Sequence, residues 1–232
     1  MKTVIAVFCK TPGLSPIKTR LAAEIGKVYA EEFYWLSVTA IYEVLGEVKK
    51  RLGNRVEIYW ALAEREALAH SLWGSYARIW TGDGSLGERI YYVFKQLFEK
   101  NDQVIIIGSD SPQITADYLI TTIERLQQPD LHGVIGPCHD GGFVLFGSKH
   151  LIQKSIWTNV TYSRNDTLQQ LITLLDKSEY QYHFNSTLGD VDQYNDLVLL
   201  QNDFLQMGAK IQPKQLNLYH WIRTMQILIT VC

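Results

Sequence analysis

Where polyphosphate chemistry would need cations, the stretch Lys10-Thr-Pro-Gly-Leu-Ser-Pro-Ile-Lys18-Thr-Arg20 supplies three of them around Pro12, Gly13 and Pro16. An apolar run at 3–8 precedes it, and a helical pattern opens near Lys18. The segment therefore reads as a loop that leaves a first strand and feeds a helix. Such a loop turns free backbone N–H groups and the positive end of the helix dipole toward an anion. Lys10, Lys18 and Arg20 add the charge, and the Arg20 guanidinium can grip a phosphate with two bonds. Lys2 and these three cations all precede the first acidic residue, Glu24. The glycine order matches neither the Walker phosphate loop nor the dinucleotide fingerprint. A solvated loop would carry the same charges.

Ile107-Gly-Ser109-Asp110-Ser-Pro112 follows the most apolar run of the chain, Val-Ile-Ile-Ile at 104–107. Asp110 falls just past the carboxyl end of that strand, where open α/β sheets place their ligands. A carboxylate there is costly to bury unless a cation pairs with it. Mg²⁺ takes one or two carboxylates together with substrate phosphates, which suits the position. The alternative, a helix cap, is better served by Thr115, immediately before a helical pattern at 116–126.

Gly136-Pro-Cys-His-Asp140-Gly141-Gly142-Phe offers a carboxylate beside paired glycines that let backbone approach a ligand closely. Asp140 there could hold sugar hydroxyls or act as a general base. A hairpin turn of the Asp-Gly type would explain the glycines equally well. His139 has no ligand spacing and reads as a bystander. In Gly189-Asp-Val-Asp-Gln-Tyr-Asn-Asp-Leu197, alternation points the carboxylates of Asp190 and Asp192 to one side and Val191 to the other. Asp190 is assigned mainly to a metal. Asp192 is a second ligand candidate, but mainly the N-cap of the following helix. The glycine-rich loop Thr81-Gly-Asp-Gly-Ser-Leu-Gly87-Glu-Arg89 suits contacts to a base or ribose.

These groups need a scaffold, and the hydrophobic pattern supplies one. Strands are expected at 3–8, 56–62, 76–80, 103–107, 132–137, 143–146 and 180–184. Helices are expected at 18–25, 29–52, 64–73, 86–99, 116–126, 166–175 and 193–206. The alternation argues for a wound α/β sheet, and the run at 104–107 for a central parallel strand covered on both faces. No crossover helix fits between 137 and 143, so the 143–146 strand must pair antiparallel or leave the sheet. The apolar tail, including Leu216, Leu218, Trp221, Ile222, Leu228 and Ile229, reads as a final helix or strand docked on the domain, or a homodimer contact.

With 232 residues, 47% apolar and 20% charged, the chain fits one domain with a sizeable core. Net charge −2 gives no field for nucleic acid or an anionic membrane. Cys9, Cys138 and Cys232 show no metal spacing and no disulfide framework. No apolar run approaches a membrane span, and a signal peptide is not expected, so the expected location is cytoplasmic.

Taken in order, the segments resemble the nucleotide-diphospho-sugar transferase-like family of GT-A fold, whose members are described as radical-SAM/selenodomain-associated transferases or candidate glycosyltransferases. The carrying motifs are Lys18-Thr-Arg-Leu21, Leu86-Gly-Glu-Arg89, Gly108-Ser-Asp-Ser-Pro112, Gly136-Pro-Cys-His-Asp-Gly-Gly142 and Asp190-Val-Asp192 with Asp196-Leu197. More distantly the pattern is similar to phospholactate and molybdenum-cofactor guanylyltransferases. The resemblance spans residues 10–197. It implies a mostly parallel mixed sheet with helices on both faces, a nucleotide at the first loop, and a divalent ion on Asp110. The chain departs from the family at Ser15, Thr81, Ser85 and Trp157-Thr-Asn159, so base and acceptor recognition transfer least. Lys18, Arg20, Asp110, Asp140 and Asp190 match directly.

The resulting expectation is a single domain over 1–232, with 208–232 an extension packed on it. Nucleotide contacts are assigned to Lys10, Pro12, Gly13, Lys18, Arg20, Gly87, Arg89 and Ser109, and substrate contacts to Asp140, Gly141 and Gly142. Mg²⁺ or Mn²⁺ is assigned to Asp110, Asp190 and Asp192, with Asp140 and Lys18 as catalytic groups. The leading reaction is glycosyl transfer from a nucleotide sugar to a small acceptor. Alternatives are nucleotidyl transfer from a nucleoside triphosphate to a phosphorylated small molecule, and a silent nucleotide-binding module.

Overall fold

Seven short runs of β-favouring residues pair into one sheet. They are β1 (Thr3–Cys9), β2 (Val56–Leu62), β3 (Ala77–Trp80), β4 (Gln103–Gly108), β5 (Gly133–Pro137), β6 (Phe143–Ser148) and β7 (Tyr182–Phe184), in the order β3-β2-β1-β4-β6-β5-β7. The computed structural model describes the backbone of residues 1–231 and the side chains of 1–227. Cys232 and the side chains of Leu228 and Ile229 lie outside the described residues. Among the described residues the α-helices are α1 (Thr19–Ile25), α2 (Lys27–Leu52), α3 (Leu86–Phe98), α4 (Ala116–Leu126), α5 (Lys154–Thr158), α6 (Thr167–Lys177), α7 (Tyr194–Met207) and α8 (Pro213–Val231).

β1, β2, β3 and β4 run parallel, β6 lies antiparallel between β4 and β5, and β7 pairs parallel with β5. The close spacing of Pro137 and Phe143 thus resolves as a hairpin inside the sheet. This topology brings the ends of β1 to β4, the β5–β6 turn and the segment after β7 to one edge.

Both faces of the central strands are buried, as their unbroken apolar character requires. Ile5, Val7, Ile105 and Ile107 meet α2 and α4 on one side. Val4, Ala6, Val104 and Ile106 meet α3, α5 and α6 on the other. A third cluster joins Leu21 and Ile25 of α1 to Phe33 of α2, Leu200 and Phe204 of α7, and Leu218 and Ile222 of α8. The tail is therefore a helix packed on α2 and α7. Its Gln215, fully buried, donates from Nε2 to the carbonyls of Pro112 at 2.8 Å and Ile114 at 3.0 Å, bracing the loop after β4. Among the described residues no helix is long and apolar enough to cross a membrane.

Two elements differ from the sequence reading. Residues 64–73 form only a 3₁₀ turn, Glu66–Ala69, before an irregular stretch. There the Arg78 guanidinium takes the carbonyls of Leu68 (2.7 Å) and Trp73 (2.6 Å), satisfying groups that helical bonds would otherwise use. The five-residue α5 is too short for its periodicity to be recognised.

Candidate active site

The first loop is tied down at its root. Tyr34 Oη accepts from the Lys10 amide at 3.0 Å and donates to the Lys10 carbonyl at 2.7 Å. The Thr11 amide donates to Glu64 Oε2 (3.0 Å), and Thr11 Oγ1 accepts from Trp73 Nε1 (2.9 Å). Beyond this anchor, Pro12 is half-buried and Gly13 turns the exposed tip at φ 86°. The side chains of Lys10 and Arg20 reach solvent, while Ile17 is buried beneath them. The helix that follows, α1, is only seven residues long. Exposed cations therefore supply more of this loop's positive field than a helix dipole does.

Lys18 has a different situation. Its backbone is left-handed at φ 43° and ψ 51°, and its side chain is only 6% exposed. The ammonium donates to Asp110 Oδ1 at 2.9 Å, to Asp192 Oδ1 at 3.1 Å, and to the Val191 carbonyl. Burial works against its charge, and the Asp110 and Asp192 carboxylates more than offset it, so its pKa lies above the ordinary lysine value. Arg20 Nη1 reaches Asp192 Oδ2 at 3.4 Å.

Asp192 is consequently not the cap of α7. Gln193 occupies that position, its amide donating to Asp196 Oδ2 at 2.7 Å, and Asp196 Oδ2 also accepts from the Asp192 amide at 2.9 Å. Two nearby cations draw the Asp192 side chain away from the helix end. Val191 is buried in the α1–α7–α8 cluster as alternation required, and its amide donates to the Asp110 carbonyl at 3.1 Å. That bond fixes the 190–192 segment against the loop after β4. Ser109 is buried, and its carbonyl accepts from Ser37 Oγ of α2 at 2.6 Å.

The β5–β6 turn faces the same edge. Asp140 is exposed, and its Oδ1 accepts from the Gly142 amide at 2.8 Å. Gly141, at φ 89°, lies so close to Asn165 that a Cβ would stand 1.9 Å from its carbonyl oxygen. The turn is thus a hairpin pressed under the loop before α6, and it still presents a carboxylate. Asp190 accepts from Cys138 Sγ at 3.2 Å. Ligand atoms of Cys138, Asp140 and Asp190 all lie within 4.8 Å of one another. Burial, aided by Asp140 and Asp192, pushes the Asp190 carboxyl up to about 6 against the opposing Cys138 and Lys18. Such crowding of negative charge is what a divalent cation relieves. The oxygen donors fit Mg²⁺ or Mn²⁺; the buried thiol is a softer neighbour.

The glycine-rich loop positions more than it presents. Arg89 donates from Nη1 to the Ala63 carbonyl (3.1 Å) and to Thr81 Oγ1 (3.2 Å), and from Nε to the Gly84 carbonyl (3.1 Å). It therefore joins the loops after β2 and β3. Gly87 is buried against α5, where a Cβ would meet the Trp157 carbonyl at 2.2 Å.

Three site neighbours escaped the sequence reading. Cys138 follows a β-bulge at Gly136/Pro137 and reaches Asp190, although its apolar context marked it only as a buried thiol. Gln113 bridges the Gly189 carbonyl (2.8 Å) and Asp203 Oδ2 (3.2 Å). Asp203 is raised by burial, with His139 and Gln113 working against that shift, so His139 lies closer to the cluster than its spacing implied.

A family model described as an uncharacterized protein conserved in bacteria, DUF2064, matches residues 44–164, just over half of the chain. No curated protein matches the sequence. Among solved structures, a candidate nucleotide-diphospho-sugar transferase from Desulfovibrio desulfuricans G20 superposes with a TM-score of 0.82 at 22% identity, covering 99% of this chain and 98% of that one. The 4-diphosphocytidyl-2C-methyl-D-erythritol synthase of Anaerococcus prevotii DSM 20548 gives a TM-score of 0.55 at 10% identity, over 88% and 99% of the two chains. A CMP:2-keto-3-deoxy-manno-octonic acid synthetase complexed with CTP gives 0.52 at 15%, over 89% and 99%. These likenesses establish the nucleotide-diphospho-sugar transferase-like fold.

Proposed function

The chain belongs to the DUF2064 family of bacterial proteins, and on that footing we propose that it is a divalent-cation-dependent transferase acting on a nucleotide-activated donor. Glycosyl transfer from a nucleotide sugar to a small-molecule acceptor is the reading favoured here. One observation carries it: Asp110, Asp140, Asp190 and Asp192 converge from three separate segments on one edge of the sheet, beside a loop of exposed cations. The fold shared with a candidate nucleotide-diphospho-sugar transferase over nearly the whole chain supports it.

In this reading Lys10 and Arg20 receive the donor phosphates. Asp110 and Asp190, with Asp192 beside them, hold Mg²⁺ or Mn²⁺, which when bound stabilises the charge that develops on the leaving nucleotide. The loops joined by Arg89 and anchored by Glu64 form the floor for base and ribose. Asp140 orients the acceptor hydroxyl or takes its proton. The gathering of four carboxylates at one place argues against a silent binding module.

Nucleotidyl transfer is the second reading, favoured by the bond from the Gly142 amide to Asp140 Oδ1, which engages one of that carboxylate's two oxygens within the turn. An acceptor phosphate is already anionic and needs no base. The two cytidylyl-type synthetases of the same fold support this alternative. A thermal-shift panel of nucleoside triphosphates, diphosphates and nucleotide sugars, with and without Mg²⁺ or Mn²⁺, separates the two. A ligand at 100 times its Kd stabilises the native state by roughly 2.7 kcal/mol. Preference for a nucleotide sugar supports glycosyl transfer, and preference for a triphosphate supports the second reading. No metal-dependent shift with any nucleotide contradicts both.

A further inference from the structure

A lysine ammonium has three N–H donors. In Lys18 all three have acceptors within the protein: Asp110 Oδ1, Asp192 Oδ1 and the Val191 carbonyl. None is left for a phosphate. The side chain is 6% exposed, so water supplies little of its solvation. The two carboxylates it bridges come from different segments, one after β4 and one before α7. Its backbone is left-handed, a conformation uncommon for residues other than glycine.

Two cations at one pair of carboxylates repel each other strongly when partly buried. A divalent ion on Asp110 and the Lys18 ammonium on the same oxygen are therefore competing occupants. We propose that Lys18 is the resident counter-ion of Asp110 and Asp192 in the ligand-free protein, and that a divalent cation must displace it to load. This rests on the reading of Asp110 as a metal ligand. Lys18 is then a positioning residue twice over. Before loading it holds the 190–192 segment to the β4 loop. Once displaced, its freed N–H groups stand beside Arg20, where the donor phosphates arrive. The order of binding follows: metal alone binds weakly, because it must break the ammonium's bonds to both carboxylates, and an arriving polyphosphate gives the ammonium new acceptors.

The test is direct Mn²⁺ binding, read from the free-ion paramagnetic resonance signal without nucleotide, in wild type, Lys18→Met and Lys18→Arg. An adjacent opposite charge changes a carboxylate's proton affinity by about 10- to 1000-fold. Lys18→Met should accordingly bind Mn²⁺ about tenfold tighter or more, while its metal-free melting temperature falls and Mn²⁺ restores it. Lys18→Arg keeps the charge and should bind no tighter than wild type. If Lys18→Met does not fold, amine labelling of the wild type followed by mass spectrometry reads the same event. Lys18 should label slowly alone and faster with Mn²⁺, and an unchanged labelling rate at saturating Mn²⁺ overturns the proposal. Mn²⁺ binding by wild type in the presence of nucleoside diphosphates, with unchanged or weaker affinity in Lys18→Met, overturns the displacement alone. Absence of Mn²⁺ binding by every protein, with or without nucleoside diphosphates, overturns the metal reading beneath it.

Discussion

Burial raises the Asp190 carboxyl to about 6 from an unfolded value of 3.8, and Asp140 and Asp192 push the same way. Between these values the folded chain holds a proton that the unfolded chain releases. Metal-free stability therefore falls as pH rises from about 4 to about 6, and stays lower above that window, by roughly 2–3 kcal/mol. Asp190→Asn should flatten this slope in urea unfolding at pH 4.5 and 7 with a chelator present; an unchanged slope would place the titration elsewhere. Metal affinity should also fall below pH 6, because the ion needs the ionised carboxylate. Asp140→Asn keeps an oxygen that can accept from the Gly142 amide. It should preserve nucleotide affinity by calorimetry while turnover drops, and wild-type turnover would leave the turn purely structural. Asp110 and Asp140 stand out in the sequence because a carboxylate past an apolar run, or beside paired glycines, is chemically conspicuous, and Asp190 because alternation sets it on one side with Asp192, opposite Val191. In the sequence Asp192 looks like a cap because it is a short polar residue just before a helix, whereas Gln193 holds that position. Only the fold shows Lys18 and Arg20 drawing it away.

At the scale of elements, glycines and long polar side chains set how the site's loops sit. Gly87→Ala would press a methyl into the Trp157 carbonyl, backbone that cannot swing aside. It should cost about 1–3 kcal/mol of stability in denaturant unfolding, typical of overpacking. Gln215→Ala leaves the Pro112 and Ile114 carbonyls without their buried donor. A loss of about 1–3 kcal/mol is expected, with weaker metal binding because the Asp110 loop loses its brace. Full stability in the Gln215 variant would show that α8 is incidental to the site. The strands were readable because both faces of β1 and β4 are apolar, and the antiparallel β6 because no crossover fits before Phe143. The 64–73 stretch was not, because Arg78, distant in sequence, takes the carbonyls that a helix would have paired.

At the scale of the whole molecule, the sheet order gathers the cation loop, the β4 carboxylate, the hairpin turn and the 190–192 segment at one edge. Their order along the chain was readable; their convergence depends on β6 running antiparallel, which brings the Asp140 turn back to the edge where β1 and β4 end. In the proposed function, metal and nucleotide occupy one site together. Mg²⁺ binds few protein ligands and relies on phosphate oxygens to complete its shell, so each ligand should tighten the other by the same factor. Calorimetric titration of the preferred nucleotide with and without Mg²⁺, in wild type and Asp110→Asn, measures this directly. Clear tightening by Mg²⁺ is expected in wild type and none in the variant. Equal metal dependence in both proteins, or none in either, would contradict it.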